Sequence, residues 1–312
     1  MGWNPLSMFF PYRARIALFN TPVVTVVVCA LCFAIFTAQY NNQRALHQSA
    51  VQFCERENDG SFLRALKWLG GTVEPWLCAQ LMLRLYHARD ARAQLATLTE
   101  RAAGQNVSGA LAAHYEDALF ETYGRFRLQA PGLLTARLWY PPDSWNPLRM
   151  LTASLAHGSW AHLMGNLLFF YAFAATIEIL LGPILYLLVL IALAIGTHSV
   201  YSIVMMGNPY ALPTVGLSGI VMGMIALFVY FIPQARISCF LWLVVFYRRF
   251  AIPAWILAAW YIGWDLYTEL TGAADTRVNV IAHLSGAAIG FLLGFTLFRK
   301  KRHWAQELVE DK

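Results

Sequence analysis

Six long apolar runs, separated by polar segments, dominate the pattern of hydrophobic and polar positions along the chain. They cover residues 16–39, 161–181, 184–205, 216–232, 251–267 and 279–298. A helix of roughly 20 apolar residues crosses the hydrocarbon core of a bilayer, and these runs are about that long. The pattern therefore predicts an all-α polytopic membrane protein with a bundle of six transmembrane helices. A further apolar piece, residues 239–246, is too short to span, and we expect it to lie at the inner membrane interface.

The segment between the first two runs has a different character. Residues 40–146 hold 10 of the 17 acidic and 11 of the 23 basic residues, so this segment is nearly neutral and polar. Apolar residues recur in it at helical spacing in two places. These are Leu77, Leu81 and Leu85, and then Leu111, Tyr115, Ala118 and Leu119. We therefore expect a mostly helical extramembrane insert between spans 1 and 2.

The same pattern divides the chain into four parts. Residues 1–39 form a short N-terminal segment and span 1, which we interpret as a signal anchor because it is longer than the apolar part of a signal peptide. Residues 40–146 form the insert, and residues 147–298 carry spans 2–6. Residues 299–312 form a basic tail.

The cysteines of the insert leave two alternatives open. If the insert faces an oxidising space such as a Gram-negative periplasm, Cys54 and Cys78 could form a disulfide. Two buried free thiols are an equal alternative, because spacing alone does not determine connectivity. In the same segment, Asn106 begins a triplet that fits a glycosylation sequon.

Basic residues indicate how the spans are oriented. With the N-terminus inside, the inner ends carry Arg13, Arg15, Arg236, Arg248, Arg249 and the cluster Arg299, Lys300, Lys301 and Arg302. The two short outer loops carry only Arg277. Cytoplasmic loops are enriched in Lys and Arg, so both termini are expected in the cytoplasm. We expect a bacterial inner membrane protein whose insert is extracytoplasmic.

Composition excludes several other classes. The chain is 58% hydrophobic and 13% charged, far too apolar for a soluble domain. Its net charge of +6 is not arranged as a basic patch interleaved with aromatic residues, so we expect no nucleic-acid partner. The five cysteines lack metal-ligand spacing, and no glycine-rich phosphate loop is present. No metal and no other cofactor is therefore expected.

Polar side chains recur at one depth of the predicted membrane. Span 2 opens with His157, His162 and Asn166, span 4 opens with Ser218, and span 6 carries His283 near its outer end. These three spans run in the same direction, so the groups lie at a similar level in the outer part of the bilayer. Polar groups inside a membrane are costly and indicate function. We therefore expect these residues to form one site.

Small residues on spans 4 and 6 indicate how the site is assembled. Gly286, Ala287, Gly290 and Gly294 share a helix face with His283, and Gly219 and Gly223 follow Ser218. Small faces let two membrane helices approach closely enough for Ser218 and His283 to hydrogen-bond. A serine activated by a histidine base is a nucleophile. Asn166, His162 and the backbone N–H of Ser218 are candidate donors to an oxyanion.

These motifs resemble those of rhomboid intramembrane serine proteases. The matches are HGSWAHLMGN at 157–166, GLSG at 216–219 and AHLSG at 282–286, followed by Gly290. The resemblance implies a six-helix core and cleavage of transmembrane substrates. Its motifs imply a Ser218–His283 dyad, with His162 and Asn166 as oxyanion donors. His157, Gly216, Gly219 and Gly286 are then supporting residues.

The chain departs from the family pattern at two positions. Leu148 stands where the family often has tryptophan, before an arginine that Arg149 matches. Met222 replaces the tyrosine that commonly packs on the catalytic histidine, and we expect altered histidine positioning there. Arg149 and Glu178, an acid near the inner end of span 2, are expected to be structural. Asp265 is not expected to be a third catalytic residue, because the family works as a dyad.

Two other functions are alternatives to proteolysis. A catalytically silent relative that binds transmembrane clients is disfavoured because both Ser218 and His283 are present. A transporter would need polar residues towards the inner side, and spans 4 and 6 are apolar there. The expected partners are the transmembrane helices of substrates and the lipid bilayer, while the oligomeric state stays open. His198 in span 3 is expected to be a packing or hydrogen-bonding residue.

Overall fold

A computed structural model describes residues 9–14, 20–103, 108–243, 246–272 and 279–310 of the 312-residue chain. Over these residues the chain is mostly helical and contains one small sheet. The helices are α1 Val23–Arg56, α2 Gly60–Gly70, α3 Pro75–His87, α4 Ala91–Ala103, α5 Gly109–Gln129, α6 Leu134–Leu138, α7 Pro147–Leu155, α8 Trp160–Leu181, α9 Pro183–Val204, α10 Ser218–Phe231, α11 Ala254–Thr271, α12 Val280–Leu297 and α13 Arg299–Glu310. The strands are β1 Phe9–Ala14, β2 Arg236–Leu243 and β3 Phe246–Pro253.

Four helices in the described part of the chain, α1, α8, α9 and α12, are long and apolar enough to cross a membrane. Helix α10 is equally apolar, but its 14 residues span only about 21 Å. Helix α11 has 18 residues and carries Asp265 and Glu269. The predicted polytopic helical protein is thus supported, whereas the count of six spans stays a prediction.

Two compact units make up the chain. The core unit consists of Met1–Thr37 and Thr135–Lys312, and the insert unit consists of Ala38–Leu134. The four-part division at residues 39, 146 and 298 stays a prediction.

Helix α10 lies at the centre of the core unit, and nearly all of its residues are buried. It packs against α8, α9, α11 and α12, and most extensively against α12. Glycines allow α10 and α12 to pack this closely. A Cβ added at Gly286 would overlap the carbonyl of Gly219, and one at Gly290 would overlap that of Gly223. The predicted small-residue contact between these helices is confirmed.

Glu178 fixes the start of α1 from the end of α8. Its buried carboxylate accepts hydrogen bonds from the backbone N–H groups of Val24 and Thr25, at 2.8 and 2.7 Å, and from the Thr25 hydroxyl at 2.7 Å. The first N–H groups of a helix have no partner within the helix, and a negative charge there is favoured by the helix dipole. The structural role expected for Glu178 is therefore confirmed.

The three strands form an antiparallel sheet in the order β1-β2-β3, which was not predicted from the sequence. The all-α prediction is therefore wrong for this part of the core unit. Within the short apolar piece at 239–246, residues 239–243 end β2 and residue 246 begins β3, and Cys239 pairs with Phe250. An aromatic residue such as Phe240 suits a pleated strand, and the run is too short for a membrane helix.

The insert unit is a helical domain with its own core, formed by Leu46, Phe62, Leu66, Met82, Leu85 and Phe126. Asp59 begins α2 by accepting from the N–H groups of Ser61 and Phe62. The two predicted amphipathic segments form α3 and α5. A disulfide joins Cys54 to Cys78, with 5.8 Å between their Cα atoms, so the disulfide is the alternative that the structure adopts.

Some predictions fall on residues outside the described ranges. These are the contributions of Arg15 and Arg277 to orientation and the sequon that starts at Asn106.

Candidate active site

Ser218 is the first residue of α10, and the loop that precedes it is held from three sides. The N–H of Gly216 donates to the carbonyl of Ala153 in α7, at 2.8 Å. Thr214 exchanges two backbone hydrogen bonds with Tyr140, and its hydroxyl accepts from the side-chain amide of Asn279 at 3.1 Å. These contacts hold Ser218 at the N-terminus of an apolar helix, where the helix dipole favours developing negative charge.

Gly216 is where the predicted oxyanion donors meet this loop. Its φ is +125°, in a region that L side chains rarely adopt. A Cβ added here would lie 2.8 Å from Nε2 of His162 and 3.6 Å from Nδ2 of Asn166. The α8 side chains thus reach the backbone two residues before Ser218. The site needs glycine at this position for its conformation and for the space.

Asn166 is buried, with an exposed fraction of 8%, and its Nδ2 donates to no group among the described residues. Buried donors are nearly always paired, because an unpaired one loses its bond to water without replacement. A hydrogen-bond donor without a partner beside a serine is available to donate to an oxygen atom of a bound substrate. Asn166 therefore has the environment expected of an oxyanion donor.

His283 lies in the first turn of α12, which begins where the Asn279 side chain accepts from the N–H of Ala282 at 2.9 Å. Its Nδ1 lies 2.9 Å from Oδ2 of Asp265 in α11. Asp265 was not expected from the sequence to join the site. The sequence showed only an acidic residue in an apolar helix. The spacing of residues along the chain does not give the distance between α11 and α12.

The α10–α12 contact brings Ser218 and His283 to the same level. A Cβ added at Gly219 would lie 3.1 Å from the carbonyl oxygen of Ala282. Ser218 precedes Gly219, and His283 follows Ala282. The two residues therefore leave their helices beside a close approach of the two backbones.

His157 lies in the loop before α8 and is buried. Its Nδ1 lies 3.2 Å from the carbonyl oxygen of Leu155, and its ring meets that of His162 edge-on, with 5.2 Å between centroids. Burial, together with a smaller effect of the nearby His162, lowers the pKa of His157 to about 4. His157 is thus neutral near pH 7 and packs against His162.

Two other residues singled out in the sequence lie in the core unit. Met222 is buried, one turn after Ser218. His198 has its Nδ1 2.7 Å from the Ala194 carbonyl and packs edge-on against Tyr140, which confirms a packing and hydrogen-bonding role. Among the described residues, no group of three or more His, Cys, Asp or Glu side chains is arranged to hold a metal ion.

The chain matches the model of a known protein family. The family model of the rhomboid domain matches residues 144–300, about half of the chain. No curated protein and no solved structure matches the chain. The matched residues include His162, Asn166, Ser218 and His283. On this match, the chain belongs to the rhomboid family.

Proposed function

We propose that this protein is an intramembrane serine endopeptidase that hydrolyses peptide bonds in or near transmembrane segments of other membrane proteins. One observation carries the proposal. The loop that leads into Ser218 meets His162 and an unpaired amide of Asn166, so candidate oxyanion donors stand beside a candidate nucleophile. Membership of the rhomboid family, whose members are generally intramembrane serine proteases, supports the same chemistry.

In the proposed reaction, His283 takes the proton of the Ser218 hydroxyl as Oγ attacks the substrate carbonyl. The resulting oxyanion accepts hydrogen bonds from Asn166, His162 and the backbone N–H of Ser218. The intermediate collapses, and the leaving amine takes the proton from His283. Water then attacks the acyl-enzyme, and His283 again acts as the base. Collapse of this second intermediate releases the second product and returns the proton to Ser218.

The membrane setting follows from the same proposal. Both termini are cytoplasmic, the membrane is a bacterial inner membrane, and the site opens to the extracytoplasmic side, where water can enter. A substrate helix enters laterally beside α8 and α11 and unwinds locally to present a carbonyl. Small and helix-destabilising residues are therefore favoured near the cleaved bond.

Proteolysis by the purified protein tests the proposal. Parent, Ser218→Ala and His283→Ala proteins are incubated in detergent with labelled single-pass substrates, and the products are separated by size. We expect each substitution to lower the rate by about 10⁴-fold or more. Ser199→Ala, in α9, is the matched serine control and should cleave at the parent rate. Equal rates for the parent and Ser218→Ala would refute the proposal.

A further inference from the structure

A carboxylate from α11 lies against one ring nitrogen of His283. Asp265 Oδ2 lies 2.9 Å from His283 Nδ1, and the two side chains are largely buried, with exposed fractions of 7% and 16%. A carboxylate accepts hydrogen bonds, so Nδ1 carries the proton in this pair. The other nitrogen, Nε2, then has the lone pair that a general base needs.

The elements packed around His283 bring few other ionisable groups. Helix α8 contributes His162, which lies within electrostatic reach of His283. Helix α9 contributes His198, whose Nδ1 is engaged with the Ala194 carbonyl. Helix α10 has no ionisable side chain before Tyr230. Among the described residues, Asp265 is therefore the only carboxylate within hydrogen-bonding distance of His283.

We propose that Asp265 is a positioning residue for His283, a carboxylate that supports the Ser218–His283 dyad from α11. The inference rests on the proposed protease function. When Ser218 Oγ bonds to the substrate carbonyl carbon, its proton passes to Nε2 and His283 becomes an imidazolium. Asp265 stabilises that cation and holds the ring, while the Nδ1 proton stays on His283. The proton on Nε2 then passes to the leaving amine.

The alternative role for Asp265 is a purely structural tie between α11 and α12. The two roles predict different kinetics. A positioning residue does not touch the substrate, so its loss lowers kcat and leaves KM unchanged. A structural tie lowers the amount of folded protein and does not change the turnover of the fraction that folds.

The kinetic experiment compares Asp265→Asn with Glu269→Gln. Glu269 is an exposed acid one turn further along α11, so the two variants remove the same charge from the same helix. We expect Asp265→Asn to lower kcat about 10- to 100-fold, the range of a hydrogen bond to a charged group, with KM and the unfolding midpoint unchanged. Asp265→Glu should recover part of the rate. Equal kcat for Asp265→Asn and Glu269→Gln would overturn the proposal.

A spectroscopic measurement separates this inference from the protease assignment. Nitrogen-15 NMR of histidine-labelled protein reports which ring nitrogen of His283 carries the proton. We expect a single Nδ1–H tautomer in the parent and in Glu269→Gln, and a mixture of tautomers in Asp265→Ala. This result would stand even if the parent failed to cleave any substrate. An unchanged His283 spectrum in Asp265→Ala would overturn the positioning role whether or not the protein is a protease.

Discussion

Replacing Asn166 by alanine removes the unpaired amide beside the serine loop. The amide lies against Gly216, and its Nδ2 has no acceptor among the described residues. If it donates to the oxyanion, its loss lowers kcat by about 10²- to 10³-fold, or about 2.7–4 kcal/mol of transition-state stabilisation. Loss of an unpaired buried donor also relieves a desolvation cost of about 1–3 kcal/mol, which offsets the packing lost with the side chain. The variant should thus lose activity without losing stability.

Asn42→Ala is the matched control, because both the donor and the acceptor of this amide are hydrogen-bonded. Asn42 donates to the Gly132 carbonyl at 3.1 Å and accepts from the Leu134 N–H at 2.7 Å, within the insert unit. Its loss should cost about 1–2 kcal/mol of stability and leave kcat unchanged.

The assay is cleavage of a fluorogenic transmembrane substrate, together with thermal unfolding in the same detergent. An Asn166→Ala protein that unfolds at a lower temperature but turns over at the parent rate would refute the reasoning.

Three further predictions concern stability, each measured as an unfolding midpoint in detergent. Gly286→Ala should destabilise by about 1–3 kcal/mol or more, because its Cβ meets backbone of α10, whereas Gly124→Ala in α5 has open space and should be neutral or stabilising. Paired replacement of Cys54 and Cys78 by serine opens a loop with a sequence separation of 24 and should cost about 3–4 kcal/mol. Between pH 6.5 and 4 the unfolded chain binds a proton at His157 that the fold excludes, so stability should fall as the pH is lowered through this window.

A specific result would contradict each of these three stability predictions. A Gly286→Ala protein as stable as Gly124→Ala would show that the α10–α12 contact is looser than described. A midpoint unaffected by reductant and by the paired replacement of Cys54 and Cys78 would argue against the disulfide. For His157, the test is the His157→Gln variant, and a pH profile identical to that of the parent would contradict the prediction.

Much of the core unit was predictable because membrane helices are read from continuous apolar length. The expected span at 161–181 is α8, Trp160–Leu181, and that at 184–205 is α9, Pro183–Val204. The contact of Gly286 with Gly219 was predictable for a related reason. Small residues repeated on one helix face are useful mainly where another helix comes close.

The sheet and the Asp265 contact were not predictable by these rules. Strand β2 is apolar after Arg236, whereas β3 carries Arg248 and Arg249. Hydropathy averaged over a helix length therefore does not distinguish the hairpin from an interfacial segment. Strand β1 comes from the distant N-terminal segment, and such pairing leaves little local signal. Asp265 reaches His283 only because of how α11 is rotated against α12, which helix spacing alone does not determine.

The central claim is that Ser218 is a nucleophile activated by His283. A fluorophosphonate probe reacts covalently with an activated serine, and peptide mapping by mass spectrometry identifies the modified residue. We expect the adduct on Ser218 in the parent protein, and its formation should be lost in His283→Ala while the fold is retained. An adduct on another residue, or labelling of Ser218 at the same rate without His283, would contradict the account.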